Sequence, residues 1–277
     1  MRLSFVKLHG LGNDFVLLDL RTGGQAPDTA QYRRLADRRY GVGCDLLLVL
    51  SAPVDARAQA RCGFVNADGS VAEHCGNGVR CVARYLERRG ESVAGRVTLE
   101  LNGALSELHL EANGEVRVDM GAPRFAPAAI PLAVAVEVPR YHLAIAGVNH
   151  EFGAVSMGNP HAVFMVDDVS RAPLASVGPA LQDSALFPAR VNAGFMQVVD
   201  RSHVRLRVFE RGVGETRACG TGACAAVAVG RRWGVLDGTV TVELPGGNLR
   251  IDWDGERDHA LWMTGPATFV FEGTIEL

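Results

Sequence analysis

Two short stretches decide the fold, Cys75-Gly76-Asn77-Gly78 and Cys219-Gly220-Thr221-Gly222, which stand 144 residues apart. Working outward, the same relation recurs. Phe64-Val65-Asn66 aligns with Val208-Phe209-Glu210 at an offset of 144, and Gly12-Asn13 aligns with Gly158-Asn159, and Leu46 with Asn192, at an offset of 146. Several matches at nearly one offset in 277 residues imply two similar halves, expected to face each other across a pseudo-twofold axis. A period this long means duplicated domains, not a solenoid.

A helical pattern follows each cysteine motif. After Gly76, the residues Val79, Val82, Ala83 and Leu86 form one apolar stripe that stops by Gly90. After Gly220, the run Ala223-Cys224-Ala225-Ala226-Val227-Ala228-Val229 is apolar on every side, which predicts a helix buried all round. A further helix is predicted from a cap at Asp28 to about Arg39, with Gly41 beyond its end. The rest reads as short alternating strands. They fall at 3–8, 15–20, 97–101, 106–110 and 116–120, then at 162–166, 195–200, 204–210, 240–244 and 249–253. The predicted fold is α+β, with two pseudo-symmetric domains, each a mixed sheet around a central helix. Prolines at 123, 127, 131 and 139 mark the crossover between them.

The composition narrows the function. With 48% hydrophobic residues the chain can bury one large core or two medium ones. A net charge of −3 and no basic stripe argue against a nucleic-acid partner. The clusters Arg33, Arg34, Arg38, Arg39 and Arg84, Arg88, Arg89 read as solvated helix faces. The first fifteen residues show no export pattern, and no run approaches the roughly 18 apolar residues of a membrane helix. The expectation is a cytoplasmic protein without a membrane partner, whose six cysteines are thiols and not a disulfide framework.

Each Cys-Gly-x-Gly precedes a helix, and this sets the chemistry. The glycines let a ligand approach the backbone closely. The N–H groups of the first helical turn then share a space with the thiol. The positive helix end favours a thiolate and offers a seat for a carboxylate. Two such sites, opposed, place an amino acid's α-carbon between two thiols. One takes a proton from one face while the other delivers a proton to the opposite face, inverting the centre. Cys75 and Cys219 are the candidate acid–base pair, and the scheme needs no cofactor.

Other readings stand beside this one. Cys75, Cys81, Cys219 and Cys224 as zinc ligands have poor spacing, because positions six or five apart on a helix do not share a face. Cys81 and Cys224 read instead as small buried hydrophobes, and Cys44 and Cys62 as inert core thiols. A hydrolase using one cysteine with His161 or His74 needs only one nucleophile and leaves the duplication unexplained. An anion-binding module without turnover also fits the two helix ends.

The motifs resemble the diaminopimelate epimerase family. The resemblance is carried by His9-Gly10-Leu11-Gly12-Asn13-Asp14-Phe15, Asn66-Ala67-Asp68-Gly69-Ser70, Ser156-Met157-Gly158-Asn159-Pro160-His161 and Val191-Asn192-Ala193-Gly194-Phe195. Glu210-Arg211-Gly212, Leu244-Pro245-Gly246-Gly247 and both cysteine motifs complete it. It implies reversible conversion of LL- to meso-diaminopimelate on the route to lysine and cell wall, without pyridoxal phosphate or metal, by a homodimer. It implies two barrel-like domains, 1–119 with 265–277 and 120–264. Cys75 and Cys219 become the acid–base pair, and Gly76, Asn77, Gly220 and Thr221 hold the reacting carboxylate. Asn13, Asn66, Asn159, Asn192, Glu210 and Arg211 match the substrate contacts, and His161 and Glu210 tune the thiols. One position departs from the family: Leu46 follows Gly41-Val42-Gly43-Cys44-Asp45 where many relatives have Gln. A proline racemase or hydroxyproline epimerase shares the two-cysteine chemistry, but a cyclic imino acid has no distal ammonium and carboxylate for Glu210 and Arg211 to meet.

Overall fold

The computed structural model describes residues 1–72, 75–145 and 147–277. The chain forms two compact units, 1–119 with 264–277, and 120–263. Thr264, at the return, lies with the first unit.

The first unit opens with the hairpin β1 (Arg2–Gly10) and β2 (Asn13–Asp19), then α1 (Thr29–Ala36), β3 (Leu46–Ser51) and β4 (Ala60–Asn66). It continues with α2 (Gly76–Arg88), β5 (Arg96–Leu101), β6 (Ala104–Leu110) and β7 (Val116–Asp119). The second unit holds β8 (Tyr141–Ile145), β9 (Val148–Ser156), β10 (Pro160–Met165), α3 (Leu174–Gln182), β11 (Asn192–Asp200) and β12 (His203–Glu210). There follow β13 (Gly214–Thr216), α4 (Gly220–Arg232), β14 (Thr239–Leu244) and β15 (Gly247–Asp252). The chain returns through β16 (Trp262–Gly265) to β17 (Thr268–Glu276), which pairs with β1.

The two units repeat one pairing scheme. In the first, β1 runs antiparallel to β2, β2 parallel to β3, β3 antiparallel to β4 and β4 parallel to β5. In the second, β9, β10, β11, β12 and β14 repeat that order. Registers match as well: Phe15 faces Leu46 where His161 faces Asn192, and Leu47 faces Val65 where Ala193 faces Phe209. Parallel neighbours need a crossover. Helices α1 and α2 supply the crossovers in the first unit, and α3 and α4 in the second.

The second crossover helix of each unit is the buried one. Helix α2 packs against β1, β2, β5, β6, β7 and β17, and α4 against β9, β10, β11, β12 and β15. A helix touching most strands of its own sheet is a helix the sheet wraps around. From Gly222 to Gly230 every residue of α4 is buried. The other crossover helices cover the outer faces. Leu35 and Ala36 of α1 join Phe5, Val16, Leu18 and Leu47. Leu174, Val177 and Leu181 of α3 join an aromatic cluster of Phe152, Phe164, Phe187 and Phe195, in which Phe164 and Phe195 stack at 5.1 Å.

Helix α1 begins where its sequence predicts. Asp28 caps it, and Gln31 closes a capping box. It ends at Ala36, short of the predicted Arg39, because the chain doubles back onto its last carbonyls. Val42 and Gly43 donate to Leu35 O, and Cys44 to Ala36 O. This return brings Gly41 so close to α1 that an added β-carbon would lie 1.8 Å from Arg34 O. Substituting Gly41→Ala therefore forces the return loop off the helix. The expected loss of stability is about 3 kcal/mol by urea unfolding, the upper end for overpacking; a variant as stable as the parent would contradict the packing described.

Candidate active site

In each unit the site residues gather at one end of the strands. Asn13 opens β2, Asn66 closes β4 and Cys75 is the N-cap of α2. Asn159 directly precedes β10, Asn192 opens β11, Glu210 closes β12 and Cys219 is the N-cap of α4. Both cysteines have extended backbone and neither side chain caps its own helix, unlike Asp28 on α1. All six cysteines are free, none joined in a disulfide.

Around Cys75, partly exposed, the key group is Asn13. Its Oδ1 accepts from Cys75 Sγ at 3.7 Å and from Asn77 Nδ2 at 3.3 Å. Its Nδ2 donates to Asp45 Oδ2 at 3.0 Å. The Asp45 carboxylate fixes the amide's orientation, since it accepts only from the NH2 end. Arg38 ties Asp45 to Asp14, which Lys7 also holds. Burial opposes ionisation of Asp14, but Arg38 and Lys7 outweigh it and hold its carboxyl well below the usual range. Asn77 and Gly76 are buried. Asn66 stands on the same strand edge, with Nδ2 donating to Ser70 Oγ at 2.9 Å. Leu46 is buried beside it in the register. His74 lies outside the described residues.

Around Cys219, buried, the key group is Glu210. The thiol donates to Glu210 Oε2 at 3.0 Å and lies 3.6 Å from Thr221 Oγ1. Thr216 donates its hydroxyl to the other carboxylate oxygen. Burial, then the Glu210 charge, push the Cys219 thiol well above its ordinary value. Gly220 is buried behind it. An added β-carbon at Gly222 would lie 3.2 Å from Cys219 Sγ, so the glycine makes room for the thiol. Asn159 donates to Thr221 Oγ1 at 3.4 Å and accepts from His161 Nε2 at 2.9 Å. His161 is wholly buried, and burial, helped by the Arg211 charge, lowers its pKa to about 3. The ring is neutral at ordinary pH, so its N–H is the donor. Asn192 accepts from Arg211 N at 2.8 Å and donates to Pro160 O at 3.1 Å, clamping the strand ends. Arg211 extends to Ala189 O at 3.2 Å.

The structure thus gathers Cys75, Asn13, Gly76 and Asn77 in the first unit. In the second it gathers Cys219, Glu210, Thr221, Asn159, His161, Asn192 and Arg211. The sequence reading missed Asp45 and Thr216. Asp45 stood in view next to Leu46, but its effect on Asn13 depends on a return loop no local pattern reveals. Among the described residues, no group of three or more His, Cys, Asp or Glu side chains is set to hold a metal ion.

The diaminopimelate epimerase family profile matches residues 5–126 and 153–270. The diaminopimelate epimerase of Alkalilimnicola ehrlichii is 53% identical over 100% of both chains. That of Nitrosomonas europaea is 50% identical, again over 100% of both. The chain belongs to the diaminopimelate epimerase family. By family it is an isomerase. Among solved structures, a hydroxyproline epimerase from Agrobacterium vitis shares the fold, with a TM-score of 0.71 at 15% identity, over 99% of this chain and 92% of that one.

Two outcomes test the local electrostatics. Removing the negative charge with Glu210→Gln lowers the Cys219 pKa, so this thiol alkylates several-fold faster at fixed pH; an unchanged rate by peptide mass spectrometry would remove Glu210 from its control. The His161 ring is neutral in the folded protein yet takes a proton in the unfolded chain below 6.5. Its contribution to stability is therefore complete above pH 6.5 and drains away as the pH falls toward 3. The urea midpoint of the parent should fall more steeply over that range than that of His161→Gln, and parallel curves would refute the buried neutral ring.

Proposed function

We propose that this chain interconverts LL- and meso-diaminopimelate by moving a proton across the α-carbon between Cys75 and Cys219. The observation that carries the reading is the pair of cysteine N-caps, each heading a buried helix and each backed by its own polar cluster. The relatives' names supply the substrate. A two-base inversion needs groups on opposite faces of one carbon, and a duplicated half-site provides two groups of the same kind. One thiolate removes the α-proton while the opposing thiol donates its own, so no proton is consumed overall. First-turn N–H groups at Gly76, Asn77, Gly220 and Thr221 hold the reacting carboxylate and stabilise charge as the carbanion forms. Because Cys219 donates to Glu210, it rests as the thiol and is the ready acid.

Asn13, Asn66, Asn159, Asn192, Glu210 and Arg211 provide polar recognition of the substrate, including its distal ammonium and carboxylate. Arg211 is suited to the carboxylate because a guanidinium presents paired donors. That demand separates this substrate from a cyclic imino acid, which carries neither distal group. Among the described residues no helix is long and apolar enough to cross a membrane. The reading places the enzyme in the cytoplasm, on the route to lysine and cell-wall precursors, acting as a homodimer without a cofactor. In support of self-association, β17 exposes Val270 and Phe271, 52% and 48% accessible.

Proton NMR of the reduced protein with LL-diaminopimelate in D2O tests the whole scheme. Loss of the α-proton signal with growth of the meso isomer is expected, and no exchange with any amino acid would refute it. Exchange with proline or hydroxyproline alone would keep the chemistry and move the substrate. Cys75→Ser and Cys219→Ser should each lower turnover by about 100-fold or more, the scale of a lost acid–base group; full turnover in either would sink the two-cysteine mechanism. Arg211→Leu should raise KM about tenfold with a smaller effect on kcat, as expected for lost uniform binding, whereas an unchanged KM removes Arg211 from the distal contact.

A further inference from the structure

The helices headed by Cys75 and Cys219 carry different charges beside equivalent thiols. Five residues beyond Cys75 stands Arg80, among the described residues the largest fully buried side chain, at 0% accessibility. Five residues beyond Cys219 stands Cys224, also buried but uncharged. The Arg80 side chain folds back toward the start of its helix. Nη2 donates to Asn77 Oδ1 at 2.9 Å, Nη1 to Gly76 O at 3.4 Å and Nε to Pro266 O at 3.3 Å. Asn77 donates in turn to Asn13 Oδ1, the oxygen that accepts from the Cys75 thiol. Strand β1 lies close over the guanidinium: a β-carbon added at Gly10 would be 3.1 Å from Nη2. The second half reverses the sign. There Glu210 sits on the thiol, and its counterpart in the first half is the neutral Asn66.

We propose that Arg80 is a positioning residue of the first half-site, whose buried charge favours the thiolate of Cys75 and whose hydrogen bonds hold the Asn77–Asn13 pair against that thiol. A guanidinium stays protonated throughout, so its charge is permanent. In a buried setting that charge acts over a longer range than it would in water, and it adds to the positive end of α2. Keeping a cation in the interior is costly, which argues for a function where the duplicate copy makes do with cysteine. Among the described residues, the other ionisable groups near Cys75 do not supply the same charge. Cys62 on β4 and Cys81 on α2 are both pushed up to about 12 by burial, so both are neutral near pH 7. Asp45, in the loop before β3, meets the far side of Asn13 and is paired with Arg38. With Glu210 acting in the opposite sense, Cys75 rests as the base and Cys219 as the acid. The catalytic meaning of this assignment rests on the two-cysteine reading, whereas its test does not.

The test follows iodoacetamide alkylation of the Cys75 and Cys219 peptides against pH, by mass spectrometry, in the reduced full-length protein. The variants are Arg80→Gln, which keeps a donor but loses the charge, and Arg80→Lys, which keeps the charge. In Arg80→Gln the Cys75 midpoint should rise by about one pH unit, making alkylation about tenfold slower near neutral pH. Arg80→Lys should restore most of the shift, and Cys219 should not move in either variant. Equal Cys75 midpoints in the parent and Arg80→Gln would overturn the proposal. So would equal shifts in Arg80→Gln and Arg80→Lys, which would mark a loss of packing and not of charge. A measurement on the parent alone serves if a variant does not fold: titration of Cys75 by carbon NMR should fall below the ordinary thiol value of about 8.5, and a midpoint at or above it would refute the claim. Because alkylation needs no substrate, a failed exchange assay and a failed Arg80 effect are separable results.

Discussion

A helix that starts inside a protein brings N–H groups that its own backbone cannot satisfy, and both halves of this chain are organised around that constraint. Helix α1 lies on an outer face and closes its end with the Asp28–Gln31 capping box. Helices α2 and α4 lie within their sheets, and each begins at a cysteine whose side chain does not cap it. Burying such a helix on all sides requires strands around it, hence the wrapped sheet. It also requires small residues where the helix enters. A β-carbon at Gly78 would come within 2.9 Å of Leu48, and one at Gly222 within 3.0 Å of Val208. The Cys-Gly-x-Gly pattern is thus a packing requirement as well as a chemical one.

This explains which parts of the fold could be read in advance. The helices after Gly76 and Gly220 were visible because apolar stripes and start signals agree. The repeat was visible because Cys-Gly-x-Gly and Gly-Asn both recur at nearly one offset. Helix α3 was hidden by Gly178 and Pro179, which read as breakers. In the structure Gly178 lets α3 lie against Phe209, where an added β-carbon would be 2.5 Å from the ring. Strand β3 was hidden because Leu46–Leu50 is a continuous apolar run without alternation, as befits a strand buried on both faces. The contribution of Asp45 was invisible for a different reason. It acts on Asn13 across 32 positions of sequence, through a loop held to the end of α1.

Duplication preserves backbone geometry more strictly than side-chain duty. Asn192 clamps Pro160 and Arg211 at the end of β11. Its counterpart Leu46 has no polar group, and it packs as part of the buried register with Phe15 and Asn66. The polar function on that edge passes to the neighbouring Asp45, which governs Asn13 directly. A missing amide at one position therefore does not mean a missing interaction in the half-site. The first half uses a different contact, one residue earlier in the chain: a carboxylate that accepts from the Asn13 amide instead of an amide that clamps two backbones.

The same reasoning applies to charge. In the proposed mechanism two thiols exchange a proton through one carbon, and they cannot both rest as thiolates or both as thiols, because a productive encounter needs one of each. Identical halves would leave that choice to chance, with half or more of the molecules in an unproductive state. A permanent cation behind one thiol and a carboxylate against the other remove the ambiguity while the backbones stay alike. The cost is that the two directions of a reversible reaction start from unequally populated forms. After one turnover the protons have changed places, so the enzyme must relax through solvent or run the reverse reaction before it can act again in the same sense. The size of the bias is therefore bounded on both sides: large enough to populate one productive form, yet small enough that the opposite form is reached within a catalytic cycle.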